Sequence, residues 1–227
     1  MFHKDVEVKE GAVFIADVHY KKGDSDFLDL LSTWYKSPPP QIFLVGDIFH
    51  ALLPFKYLID YNSEAVALIN MLALRSEVYY LQGNHDFNIE SLFVNVNFAD
   101  AFWDKKRDIF LTHGHLNSDI GYNIFFSLLK NEFLELFAHF VSFNFLYPWV
   151  FKSVLNKKIC CKEIENFFEI AKKRLSKVDS KILVEGHYHQ GKSFEIEGKE
   201  YINLPSFYCS KKYSVFEASR FLNKPYR

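Results

Sequence analysis

Five short stretches bring chemistry-bearing side chains together at tight spacing: Asp17-Val18-His19, Gly46-Asp47, Gly83-Asn84-His85-Asp86, His113-Gly114-His115 and Gly186-His187-Tyr188-His189. Carboxylate, imidazole and side-chain amide are the donors of an N/O cage for Mn²⁺, Fe²⁺, Zn²⁺ or Mg²⁺. No cysteine stands in any block, which argues against a thiolate zinc site. Seven candidate donors exceed what one tetrahedral ion takes and suffice for two ions sharing a carboxylate. Two ions about 3.5–4 Å apart clamp the attacking and leaving oxygens of a phosphoryl group. Asp17 and Asp47 offset only part of the four positive charges, so such a centre attracts a phosphate anion. A lone Asp-x-His or Gly-Asp is commonplace at turns, and the weight lies in five blocks in series.

Each block follows directly on a short apolar run: Ala12–Ala16, Ile42–Val45, Val78–Leu81, Ile109–Leu111 and Ile182–Val184. Runs of this length, rich in Val, Ile and Phe, suit strands buried on both faces. The strands then deliver Asp, His and Asn to one edge of a sheet, where open α/β sheets place their ligand sites. Residues i and i+2 of an extended segment point to the same side. Asp17 and His19 are therefore expected to share a target, as are His187 and His189. Segments 24–36 and 62–75 carry helical apolar spacing, the second opened by a cap at Asn62 or Ser63. Ser193–Ile196 and Tyr201–Leu204 flank Glu197-Gly198-Lys199, a hairpin signal. Pro38-Pro39-Pro40 reads as a stiff loop, and no repeat or low-complexity linker divides the chain. The pattern predicts an α/β (α+β) sandwich with one helical insertion.

Composition narrows the classes. In 227 residues, 27 basic and 28 acidic side chains balance, so neither a disordered charged chain nor bulk attraction to nucleic acid is expected. Three cysteines give no disulfide framework and point to a reducing cytosol, and no secretory leader is legible. Aromatics are concentrated instead. Segment 118–151 holds 11 of them and only 4 charged residues, and 152–181 carries nine Lys/Arg against four acids. Its longest uncharged run is shorter than the roughly 20 residues that a spanning helix needs. Apolar aromatic surface beside a basic stretch fits a membrane-interface element, and fits equally a buried helical subdomain with a solvated basic face.

The five blocks together resemble those of the calcineurin-like metallophosphoesterases, over residues 13–190. The resemblance implies a four-layer sandwich of two mixed β-sheets flanked by helices. It also implies two divalent ions, Mn²⁺ first among the candidates. Asp17, His19 and His189 would hold one ion, Asn84, His113 and His187 the other, and Asp47 both. His113 is preferred over His115 because it follows the strand directly. His85 would act on the leaving group or the developing charge, with Asp86 orienting it. Within the family the chain most resembles the branch that hydrolyses UDP-2,3-diacylglucosamine in lipid A synthesis. That branch is similar in size, has an Asp and a Tyr after the metal-binding His (here Asp119 and Tyr122), and carries an acyl-chain lid. The resemblance implies one domain over 1–227 with a helical lid at 118–178. His115, Asp119, Tyr122, Phe137 and Phe140 would touch substrate. It also implies a cytoplasmic enzyme peripheral on the inner membrane and acting on a nucleotide-diphospho-lipid. That branch has Arg and Asp where this chain has His85 and His115. A soluble phosphodiesterase, nuclease or phosphatase of the same superfamily is the alternative. A scaffold that has lost catalysis is disfavoured, because none of the seven donors is missing.

Overall fold

The structure is a computed structural model and describes residues 3–115 and 147–227. The five apolar runs form strands β2 (Val13–Ile15), β3 (Gln41–Val45), β4 (Glu77–Leu81), β7 (Ile109–Thr112) and β8 (Ile182–Glu185). They do not share one sheet. β2, β3 and β4 run parallel in a six-stranded sheet, ordered β12-β11-β2-β3-β4-β5, with β5 at Val96–Ala99, β11 at Lys212–Glu217 and β12 at Arg220–Pro225. β7 and β8 run parallel in a second, ordered β1-β6-β7-β8-β10-β9, with β1 at His3–Asp5, β6 at Ala101–Asp104, β9 at Ser193–Ile196 and β10 at Lys199–Asn203.

Alternation along each strand sends side chains to two different apolar layers, which is why the strands read as continuous hydrophobic runs. Phe14, Phe43, Val45 and Leu81 pack between the sheets against Phe102, Leu111, Val184 and Ile202. Ile15, Leu44 and Tyr80 face outward, where helices α1 (Ser25–Lys36) and α2 (Lys56–Leu72) cover them with Phe27, Leu31, Ala65 and Ile69. Helix α3 spans Tyr147–Asn156, and α4 (Phe167–Leu175) lays Phe167, Ala171 and Leu175 on Leu183 and Tyr201 of the second sheet. The layers are therefore helix, sheet, sheet, helix, the four-layer arrangement that the resemblance implies.

Two local expectations change, and one hairpin was not foreseen. Helix α2 begins at Lys56, not at an Asn62 or Ser63 cap. Asn62 is buried, and its side-chain amide donates to Leu58 O (2.7 Å) and Ala51 O (3.0 Å), so it ties the preceding loop to the helix interior. The β9–β10 hairpin turns as expected on Glu197 and Gly198, both left-handed. A second hairpin, β11–β12, turns on Ala218 and Ser219 at φ 50 and 61, without the Gly or Asn that signals such turns. Finally, the absence of cysteine pairing is corrected, because Cys161 and Cys209 are joined by a disulfide. Their separation of 48 residues leaves no local spacing signal to read. Closing so long a loop stabilises the folded state by about 4 kcal/mol in the chain-entropy account. Among the described residues, no helix is long and apolar enough to cross a membrane.

Candidate metal centre

The five blocks occupy the loops at the C-terminal ends of β2, β3, β4, β7 and β8, where the two sheets open. Backbone geometry there is not extended. Asp17, His19, Asp47, His187 and His189 all take left-handed φ, between 48 and 65. Each such non-glycine residue costs about 1–2 kcal/mol, a strain typical of positions held for function. It overturns the alternation argument for the fifth block. His187 and His189 do not face one target: His189 lies with Asp17 and His19, and His187 lies with Asp47 and His113. Asp17 and His19 do share a target, though through left-handed turns.

In the first group, His189 Nε2 is 3.4 Å from His19 Nε2 and 3.3 Å from Asp17 Oδ1. In the second, His113 Nε2 is 3.5 Å from Asp47 Oδ2, too long for a strong hydrogen bond and close enough for strong attraction. Asp47 also belongs with His19 and His85 in a third set of mutually close ligand atoms, so its carboxylate faces both groups. Among the described residues, Asn84 Oδ1 and His113 Nε2 are buried with no hydrogen-bond partner. Buried polar atoms are rarely left so, and donors of this kind fit divalent cations.

Neighbouring backbone holds the rings and carboxylates in place. The Nδ1–H groups of His85, His113 and His189 donate to the carbonyls of His50 (2.7 Å), Val45 (2.8 Å) and Cys160 (3.0 Å), which turns each Nε2 inward. Each carboxylate is tied to a neighbouring block: His187 N donates to Asp17 (2.9 Å) and His85 N to Asp47 (2.9 Å). Gly46 takes φ 70, and a Cβ there would overlap the His113 ring, so this block needs glycine for both reasons. Asp86 is buried, accepting from the amides of Asp47, Ile48, Phe49 and Gly83 and from Tyr80 Oη. Its carboxylate therefore braces the turn that presents Asp47, and the group orienting His85 is the His50 carbonyl. His115 is buried with its ring 5.3 Å from that of His113 and is absent from the three donor sets found among the described residues. Asp119, Tyr122, Phe137 and Phe140 lie outside the described residues.

Burial keeps His19 and His187 neutral, pushing them down to about 3 and about 4. Burial also opposes charge on His113, but the Asp47 carboxylate outweighs it and raises His113 to about 10. Asp47 is held well below the usual carboxylate range, because His113 outweighs its own burial. His189 is raised as well, burial being outweighed by the hydrogen bond to Asp17.

Sequence inspection missed His50 and the 206–210 turn. His50 is buried, and its Nε2–H donates to Val154 O of α3 at 3.1 Å, linking the end of the insertion to the His85 support. A histidine inside the apolar run that follows Gly46-Asp47 was a legible signal. Ser206 Oγ (3.0 Å) and Tyr208 N (3.1 Å) both donate to Asp17 O, contacts that no local pattern announces.

Two stacked mixed sheets whose loops converge buried N/O donors define a metal-dependent phosphoester hydrolase. The chain belongs to the calcineurin-like phosphoesterase family, which it matches over residues 12–191. It is similar to the UDP-2,3-diacylglucosamine hydrolase of Wigglesworthia glossinidia brevipalpis, at 23% identity over 209 residues and 83% of each chain. Similar solved structures include an archaeal phosphodiesterase (10% identity, 94% of this chain and 98% of that one, TM-score 0.48). A dimetal phosphatase from Danio rerio is another (14% identity, 94% of each chain, TM-score 0.46).

Proposed function

We propose that the protein hydrolyses the pyrophosphate of a nucleotide-diphospho-lipid, UDP-2,3-diacylglucosamine or a close analogue, releasing UMP and the lipid phosphate at the cytoplasmic face of the inner membrane. The observation that carries the phosphoryl chemistry is Asp47, set between two groups of ligand atoms. Asp17, His19 and His189 would hold one divalent ion, Asn84, His113 and His187 the other, and Asp47 both, with Mn²⁺ the first candidate. Such ions, when bound, polarise phosphoryl oxygens and acidify water. His85 presents Nε2 because the His50 carbonyl occupies Nδ1. In its charged form it passes the Nε2 proton to the leaving oxygen. Asp86 keeps the Asp47 turn rigid while this happens. The lipid part of the reading rests on the distant relative, the 11 aromatics of 118–151 and the basic stretch after them.

The test compares UDP-2,3-diacylglucosamine with a small chromogenic phosphodiester, each with Mn²⁺ and with chelator. Both are expected to require metal, and the lipid is expected to be far the better substrate. Each buried methylene contributes roughly 0.8 kcal/mol. Replacing Phe137 and Phe140 together by Ser should therefore raise KM for the diacyl substrate by about tenfold or more, leaving the phosphodiester unchanged. Equal losses on both substrates, at unchanged metal content, would instead favour the soluble phosphodiesterase reading.

The site's titration provides a further check. His113 is raised to about 10, so it carries a second ring proton in the metal-free chain at neutral pH, while His19 and His187, pushed down by burial, do not. An ion binds neutral imidazole, so the ion beside His113 must displace one proton, and its affinity must rise with pH. For the ion beside His113, whose pKa is about 10, the expected rise is about tenfold per pH unit from 7 towards 10. Calorimetry in buffers of different ionisation enthalpy counts the protons, and a flat affinity with no release would remove His113 from the ligand set.

A further inference from the structure

The first donor group is supported by two segments far apart in sequence, and one covalent bond joins them. The Cys160 carbonyl accepts from His189 Nδ1 (3.0 Å), and the next residue is Cys161. Its partner Cys209 lies on the one-turn helix α5 (Phe207–Ser210), with Sγ 3.9 Å from the same Nδ1. That turn touches the other two donors: Ser206 Oγ and Tyr208 N hold Asp17 O, and the Tyr208 ring is 6.0 Å from that of His19. Residues 157–164 have no regular secondary structure. Apart from the link, described ties on this stretch include Ile164 N to Gln190 Oε1 (2.9 Å), Gln190 Nε2 to Lys162 O (3.2 Å) and the Glu163–Lys192 ion pair. The second group is built differently. The carbonyl that orients His113 belongs to Val45, inside β3 and in register with Leu81 of β4, so the sheet itself holds it.

We propose that the Cys161–Cys209 link positions Asp17, His19 and His189, so that a divalent cation's hold on this group responds to thiol–disulfide exchange while the Asp47–His113–His187 group does not. The inference rests on assigning both groups to metal ions. Cys161 is exposed, so the link is open to attack from solvent. A dithiol reductant opens it in two steps. One thiolate attacks a link sulfur and expels the other cysteine as thiolate. The second thiol of the reductant then attacks the mixed disulfide, closes into a cyclic disulfide and releases the remaining cysteine. Two electrons pass from the dithiol to the link, and the cysteines take up protons from solvent. With the link open, the Cys160 carbonyl loses its covalent tie to the 206–210 turn that holds Asp17 O. In a reducing compartment this is the expected behaviour of a redox-responsive disulfide.

The test uses the full natural chain, stripped of metal, in linked and dithiol-reduced forms. Peptide mass mapping confirms the pairing, and the reductant is removed under argon before equilibrium dialysis against Mn²⁺. The linked form is expected to bind two ions. The reduced form should bind one of them roughly 10- to 100-fold more weakly, as loss of a group that orients a metal ligand does, and the other unchanged. Reoxidation should restore both. Cys161→Ser should match the reduced form and ignore reductant; should that variant fold poorly, the reversible comparison on the natural chain decides. Equal affinities in both forms would make the link a structural staple only and overturn the inference. Parallel weakening of both ions would overturn it too, as general loosening. A linked form that binds no Mn²⁺ would overturn the metal assignment itself, a result distinct from either.

Discussion

Asp47→Asn should cost the protein both metal ions and at least about 10³-fold in kcat/KM. The substitution keeps the size of the side chain and an oxygen for the His85 amide, which now donates to Asp47 Oδ1 at 2.9 Å. What it removes is the charge that faces both donor groups. Metal ions lower phosphoryl-transfer barriers by several kcal/mol, and each 1.4 kcal/mol is tenfold in rate. Elemental analysis and turnover decide the matter together, with Ser91→Ala, at an exposed position, as the neutral comparison. Two ions per chain and an ordinary rate in the Asp47→Asn protein would show that Asp47 is not shared.

Gly83→Ala should inactivate nearly as well without replacing any donor. A Cβ at Gly83 would overlap both Oδ1 and the backbone N of Asp47, and would lie 2.8 Å from Asp86 Oδ1. Asp86 cannot yield easily, because it accepts from four amides and Tyr80 Oη. The Asp47 turn must therefore move. Overpacking of this kind costs about 1–3 kcal/mol of stability, and a misplacement near 1 Å costs about 10²-fold in rate. Gly198→Ala is the contrast. Its Cβ meets nothing within 4 Å, so only the left-handed turn is strained and activity should be unaffected. Equal activity in the two variants would mean that the Asp47 turn is not braced as described.

The two substitutions divide the centre into donors and the frame that aims them, and the same division separates what was legible in the sequence. Donor types are a local property. Asp17, Asp47, Asn84, His113 and His187 each announce themselves by chemistry and by following an apolar run, and those runs became five strands with only small changes at their ends. Burial on both faces makes such strands legible, because it demands apolar residues without interruption. The frame is not local. That His187 and His189 part to different groups follows from left-handed φ at both, and alternation along an extended strand cannot foresee it. The His50, Val45 and Cys160 carbonyls are main-chain atoms, which every residue possesses, so no residue type marks them. Asn62 lies inside helix α2 and bonds to Ala51 across a loop rather than capping the helix, and Cys161 finds Cys209 across 48 residues. Sequence alone determined which atoms are available to hold a metal ion. Tertiary structure decided where each one points, because orientation is set by hydrogen bonds, strain and a disulfide between segments that meet only when the two sheets have stacked.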